Sequence, residues 1–199
     1  MKGIQREMLF EKQRYGRNKK TQINHSYINS GRYRRKFDLI SDNKKLNKLL
    51  HFLAKRMLKH RAGTLYEDMY WINSDEAEIV ACECNSRLEE QIEYSDKTIE
   101  IVDTMPGLLT IHTHPNSFPP SAVDFNSNYE HNYILGIICC HNGRIFVYNA
   151  NEEIDINLYT AYVQKFKLEG LEEYDAQWAA LNVIKENVDI SFKEVGADE

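Results

Sequence analysis

Apolar residues recur at helical spacing between Asn43 and His60, where Leu46, Leu49, Leu50, Leu53, Ala54, Met57 and Leu58 share one face of a 3.6-residue period. With Ser41 or Asp42 as N-cap and Gly63 as C-terminal stop, the pattern predicts an amphipathic helix packed by that face. The rhythm then changes. Residues 68–73 (Asp-Met-Tyr-Trp-Ile-Asn) and Ile79–Cys84 are β-prone, and the polar Ser74-Asp75-Glu76 between them predicts a hairpin. Glu90–Tyr94 reads as a further short strand and Ser95-Asp96 as the cap of a helix that stops before Pro106-Gly107. Leu108–Ile111 reads as a strand that delivers His112 at its end.

A polar, proline-containing loop covers Asn116 to Pro120, and Ser121 opens a helix through Asp124 and Phe125 toward Tyr129. Tyr133–Cys140 is an apolar strand whose partner, Arg144–Tyr148, returns across the tight-turn signal His141-Asn142-Gly143. Two helices, Asn157–Glu169 and Glu172–Asn187, follow on either side of Gly170, with apolar spacing at Leu158, Ala161, Tyr162 and Phe166, then Tyr174, Trp178, Leu181 and Ile184. This order predicts an α/β domain in which helices pack around one mixed, largely antiparallel sheet.

The 199 residues, 42% hydrophobic and 28% charged, suffice for one globular domain with a substantial core. No run approaches the roughly 18 apolar residues of a membrane helix, and Met1–Arg6 lacks the apolar stretch of a signal peptide. A cytoplasmic protein without a membrane partner is expected. The cysteines pair closely in sequence, Cys82 with Cys84 and Cys139 with Cys140, inside strand-like runs, and are expected as buried thiols. A Cys-x-Cys pair can bind metal, but no second Cys or His pair lies beside it.

Charge is unevenly placed: residues 1–36 hold eleven Lys or Arg against two Glu, and the remainder holds fourteen against twenty-eight Asp or Glu. The first 36 residues therefore read as a basic, extended or partly helical arm outside a domain spanning 37–199. Nucleic acid is one partner such an arm can take, although basic tails also serve as plain solubilising segments, which is the favoured expectation.

The segment richest in chemistry is Ile111-His112-Thr113-His114-Pro115-Asn116-Ser117-Phe118-Pro119-Pro120-Ser121-Ala122-Val123-Asp124. Histidines at i and i+2 on extended backbone project to one face, so both imidazoles can reach a single ion at about 2.0–2.1 Å. Asp124 can supply a third ligand once the loop folds back. Three protein ligands leave a fourth position for water, the arrangement of a catalytic rather than a structural zinc site. Zinc lowers the pKa of water from 15.7 to about 7, and a nearby carboxylate can take its proton. The plainer alternatives are strand-end histidines bonded to loop backbone and a Ser121-x-x-Asp124 helix-start signature; the second is compatible with metal binding.

These residues resemble the JAMM (JAB/MPN) zinc metallopeptidase family, whose pattern is an upstream Glu, His-x-His-Pro, a short loop and Ser-x-x-Asp. The resemblance covers Asn43 to about Tyr148 and is of the bacterial or phage-associated type. It implies a single JAB/MPN-like domain carrying two extra C-terminal helices, zinc as cofactor, and hydrolysis of a peptide or isopeptide bond in a protein or peptide substrate. It also implies His112, His114 and Asp124 as metal ligands, Glu67 as the base that activates water, and Ser121 as a stabiliser of the oxyanion. Glu67 is favoured over Glu76, Glu78 and Glu83 because it lies where the first long helix hands over to the sheet. One departure is the loop Pro115–Val123, a residue shorter than the family's usual spacing. No long insertions flank the motif, so ubiquitin specificity is not implied. Domains of this type also serve as non-proteolytic scaffolds, and RadC-like members as nucleic-acid-associated modules; these are the alternative functions. His131 and His141 are expected to be exposed and without a role, and Tyr66, Tyr70, Trp71, Tyr129 and Tyr133 are expected to pack the core and rim.

Overall fold

The computed structural model describes residues 16–196. Two short helices, α1 (His25–Ile28) and α2 (Gly31–Asp38), precede the long α3 (Lys44–Arg61). Asn43, rather than Ser41 or Asp42, caps α3: its Oδ1 accepts the Lys45 and Leu46 N–H groups at 3.0 and 3.2 Å. Ser41 Oγ turns instead to Asn47 Oδ1 at 2.9 Å. The stop at Gly63 forms as expected, at φ +72°, a conformation that residues with a Cβ rarely adopt.

The hairpin follows as β1 (Met69–Asn73) and β2 (Glu78–Glu83). The strand expected at Glu90–Tyr94 does not form, because residues 84–95 run without regular structure and Glu90 sits at φ +58° with its N–H bonded to Leu65 O at 2.8 Å. Next come α4 (Asp96–Thr104), β3 (Leu109–His114), α5 (Ala122–Glu130), β4 (Leu135–Cys140), β5 (Ile145–Ala150), α6 (Ile156–Leu168) and α7 (Glu173–Ile184). A final strand, β6 (Ile190–Glu194), is absent from the sequence-based expectation, since its apolar alternation consists of Ile190 and Phe192 alone.

Together the strands form one six-stranded sheet in the order β2-β1-β3-β4-β5-β6. Only β3 and β4 are parallel, and α5 makes the crossover between them. The mixed, mostly antiparallel α/β architecture matches the expectation. Alternation along β3 sends Leu109 and Ile111 to one face, where they meet Leu50, Leu53, Met57 and Leu58 of α3. On the other face Phe125 of α5 and Leu181 and Ile184 of α7 cover Ile138, Phe146 and Tyr148. The sheet is thus sandwiched between two helical layers.

Residues 16–36 do not form an arm. Ile23 is buried and Ile28 and Tyr33 are fully buried in the α3 side of the core, and Gly16 N and Asn18 N bond Ala62 O and Gly63 O at 2.9 and 3.0 Å. The apolar residues that anchor this stretch are few and spaced among lysines and arginines, which is why the basic charge masks them. The rest of the expected arm, residues 1–15, lies outside the described residues. Cys84, Cys139 and Cys140 are buried free thiols as expected, and Cys82 is half-buried. Among the described residues no helix is long and apolar enough to cross a membrane.

Candidate metal centre

β3 carries His112 and His114 at its C-terminal end, on the face of the sheet covered by α5. The loop 115–120 then returns the chain so that α5 begins beside them. Ser121 is the N-cap of α5 and Asp124 its third residue, and the two close a reciprocal capping box. The Ser121 N–H and hydroxyl both donate to Asp124 Oδ2 at 2.7 Å, and the Asp124 N–H donates to Ser121 Oγ at 3.2 Å. The carboxylate is therefore aimed by the same bonds that start the helix.

The donor atoms converge. His112 Nε2 lies 3.1 Å from His114 Nε2 and 3.2 Å from Asp124 Oδ1, and His114 Nε2 lies 3.5 Å from Asp124 Oδ2. Ligands about 2.0–2.1 Å from a tetrahedral ion are separated by about 3.3–3.4 Å, and the two imidazole nitrogens and the Asp124 carboxylate, which meets His112 through Oδ1 and His114 through Oδ2, stand at spacings close to that. Two imidazole nitrogens at this distance cannot both present lone pairs to each other without a proton or cation between them. His114 Nδ1 lies 3.1 Å from Phe118 O, which fixes it as the protonated nitrogen and leaves Nε2 as the ligand. Together the three form a group whose ligand atoms can hold a metal ion.

Electrostatics follow from this packing. Burial disfavours a charged His114, but the Asp124 carboxylate and its hydrogen bond outweigh burial and raise the imidazole to about 9. Burial likewise opposes a charged Asp124, yet His114, and then the bonds to both histidines, hold it well below the usual carboxylate range. His112, with its Nδ1 buried and unpartnered, is lowered mainly by burial.

Glu67 lies in the stretch between α3 and β1, 7% exposed, and lines the same cleft as His112, His114, Asp124 and Ser121. Burial, opposed by His114 and reinforced by Asp124, raises its carboxyl to about 8. All five sequence-predicted residues thus meet at one cleft of about 630 Å³. Ser121 contributes here by holding Asp124, a contact that occupies its single hydroxyl hydrogen.

Several contributors escape sequence reasoning. Asp68 accepts from Arg61 Nε and from His60 Nδ1, the latter at 2.6 Å, while Arg61 Nη2 donates to Cys84 O at 2.8 Å. The Asp68 N–H donates to Thr113 Oγ1 at 3.1 Å, and the Thr113 N–H to Asp68 O at 3.2 Å. Thr113 separates the two histidines, so these bonds fasten the Glu67-Asp68 backbone to the strand that carries both histidines. Tyr148 packs edge-on to His112 at 6.3 Å and lies across Gly136, where a Cβ would meet its ring at 2.1 Å. His131, at the end of α5, is half-buried rather than exposed, lines the cleft and stacks on Tyr133 at 5.3 Å. His141 is buried rather than exposed, its Nδ1 2.6 Å from Thr21 O. Only Gly136 inside an apolar strand offered a sequence signal, that of close backbone approach.

Comparison of the chain with family models, with curated proteins and with solved structures gives no significant match.

Proposed function

We propose that the protein is a zinc-dependent metallopeptidase or isopeptidase of JAMM type, acting on a protein or peptide substrate. The observation that carries this reading is the convergence of His112 Nε2, His114 Nε2 and Asp124 on one point with Glu67 beside it in an open cleft. A metal of the zinc class fits the donor set, two neutral imidazoles and one carboxylate with a position left for solvent or substrate. When bound, such an ion polarises the scissile carbonyl and lowers the pKa of water toward about 7.

The chain's own groups supply the rest. His114 is oriented by Phe118 O and Asp124 by Ser121, so little reorganisation accompanies loading. Glu67 takes the proton of the attacking water and returns it to the leaving amine, a role suited to a carboxylate whose burial moves it toward neutral pH. Rotation of the Ser121 hydroxyl away from Asp124 would let it donate to the oxyanion. The scaffold alternative is associated with loss of ligands, and this chain keeps them all.

The test is hydrolysis of a mixed pool of unfolded proteins by the zinc-loaded chain, read by mass spectrometry. New termini are expected with wild type and absent with Glu67→Gln, which retains the metal. Equal cleavage by both proteins would overturn the role of Glu67, and cleavage by neither would overturn the peptidase reading.

A further inference from the structure

Charge in this chain is split far more sharply than the arm alone suggests. Residues 16–61 hold fourteen Lys or Arg and two Asp, whereas residues 62–199 hold seven Lys or Arg and twenty-six Asp or Glu. The basic part is folded. α3 has no Asp or Glu in its 18 residues, and Lys45, Lys48, Phe52, Lys55 and Lys59 recur at spacings of three and four, which places them in one stripe. From Lys45 to Lys59 that stripe is about 21 Å long at 1.5 Å per residue.

α2 widens it. Tyr33 and Phe37 of α2 pack on His51 of α3 with ring centroids 6.1 and 5.4 Å apart. His51 feels the charges of Lys55 and Arg34, opposed by Asp38, so the basic residues of the two helices meet there with one acid among them. Arg32, Arg34 and Arg35 are exposed beside them. In the middle of the stripe Phe52 is 59% exposed.

We infer that the outer face of α2 and α3 binds single-stranded nucleic acid, with the lysines and arginines on phosphates and Phe52 as a stacking surface for a base. Extended basic surfaces bind nucleic acid chiefly through phosphate neutralisation, and an aromatic ring among the cations selects unpaired bases, whose faces are open. An acidic membrane is the weaker occupant. An interfacial helix needs a broad apolar face to insert, and in α3 the residues of that face, Leu46, Leu50, Leu53, Ala54, Met57 and Leu58, are buried against the sheet. The surface lies across the sheet from α5 and the metal centre, so it is independent of the catalytic reading and leaves the cleft open.

The experiment is fluorescence anisotropy of the full chain with a labelled mixed-sequence single strand of about 16 nucleotides, the upper end of usual single-strand site sizes, the matching duplex, and vesicles of equal parts phosphatidylserine and phosphatidylcholine. Binding to the single strand is expected to be tightest, to weaken as salt rises, and to fall about tenfold in Phe52→Ala. The double reversal of the exposed Lys48 and half-buried Lys55, Lys48→Glu/Lys55→Glu, in protein whose circular dichroism matches wild type, should weaken binding further and flatten the salt slope by about 1.4. Equal binding by the charge-reversed protein would place the nucleic-acid contact elsewhere and overturn the inference. Tighter binding to vesicles, or salt-sensitive self-association without oligonucleotide binding, would assign the face to a membrane or to the acidic part of a second copy.

Discussion

The Ser121 hydroxyl donates to Asp124 Oδ2 at 2.7 Å while the Asp124 N–H returns to Ser121 Oγ at 3.2 Å, so one reciprocal pair both starts α5 and aims the carboxylate of the candidate metal centre. Ser121→Ala should therefore act twice. Loss of the cap is expected to lower stability by about 1 kcal/mol in thermal unfolding. Loss of the bond behind the ligand is expected to weaken zinc affinity by about 10- to 100-fold in a competition titration.

Protonation sets a second expectation. His114 is raised to about 9, so at pH 7 it carries a proton that an incoming ion must displace. Zinc affinity should rise about tenfold per pH unit between pH 7 and 9, with one proton released per ion, or more if Glu67 also ionises. Calorimetry in buffers of different ionisation enthalpy counts those protons, and a pH-independent affinity would contradict the arrangement.

The metal-free chain should show the corresponding stability trend. Both Glu67, moved from 4.5 to about 8, and His114, moved from 6.5 to about 9, bind protons more tightly folded than unfolded. Their contributions are present at low pH and lost as pH rises, across 4.5–8 for Glu67 and 6.5–9 for His114. Asp124, held low, works the other way and is lost only on strong acidification. Urea unfolding of the apo-protein should therefore give a midpoint that declines from about pH 5 to 9, and saturating zinc should remove the decline.

Arg61 is fully buried and Asp68 is its carboxylate partner. Asp68→Asn leaves an uncompensated guanidinium inside the protein and is expected to cost about 3–5 kcal/mol. Because the same segment ties Glu67 to Thr113, any residual hydrolysis in folded mutant should fall in kcat while zinc stoichiometry is kept.

Gly136→Ala tests the floor of the site. The new methyl group would lie within 2.3 Å of the Tyr148 ring edge, so Tyr148 must shift away from its contact with His112. A loss of about 1–3 kcal/mol is expected from overpacking, together with weaker metal binding.

Much of this was legible in the chain. Period 3.6 marked α3, because that helix buries one face and its sequence records which, while aromatic and β-branched residues around a polar turn marked β1 and β2. The clustering of His112, His114 and Asp124 was legible because two histidines at i and i+2 on a strand share a face and a short loop can return a helix start beside them. Glu67 was legible only by its place before β1. What did not show is tertiary: Asp68 and Arg61 look like solvated charges until α3 and β1 are brought together, and His141 looks exposed until Thr21 covers it. The basic stretch concealed Ile23, Ile28 and Tyr33 because three anchoring residues in a polar background carry no period. β6 is too short, and too dependent on its neighbour β5, to announce itself.

The most direct measurement is elemental analysis of the purified full chain after dialysis against trace zinc, run beside His114→Ala. One zinc per wild-type chain and none in His114→Ala is the expected result. Absence of stoichiometric zinc in the wild type, or equal zinc in both proteins, would contradict the metal centre on which the functional reading stands.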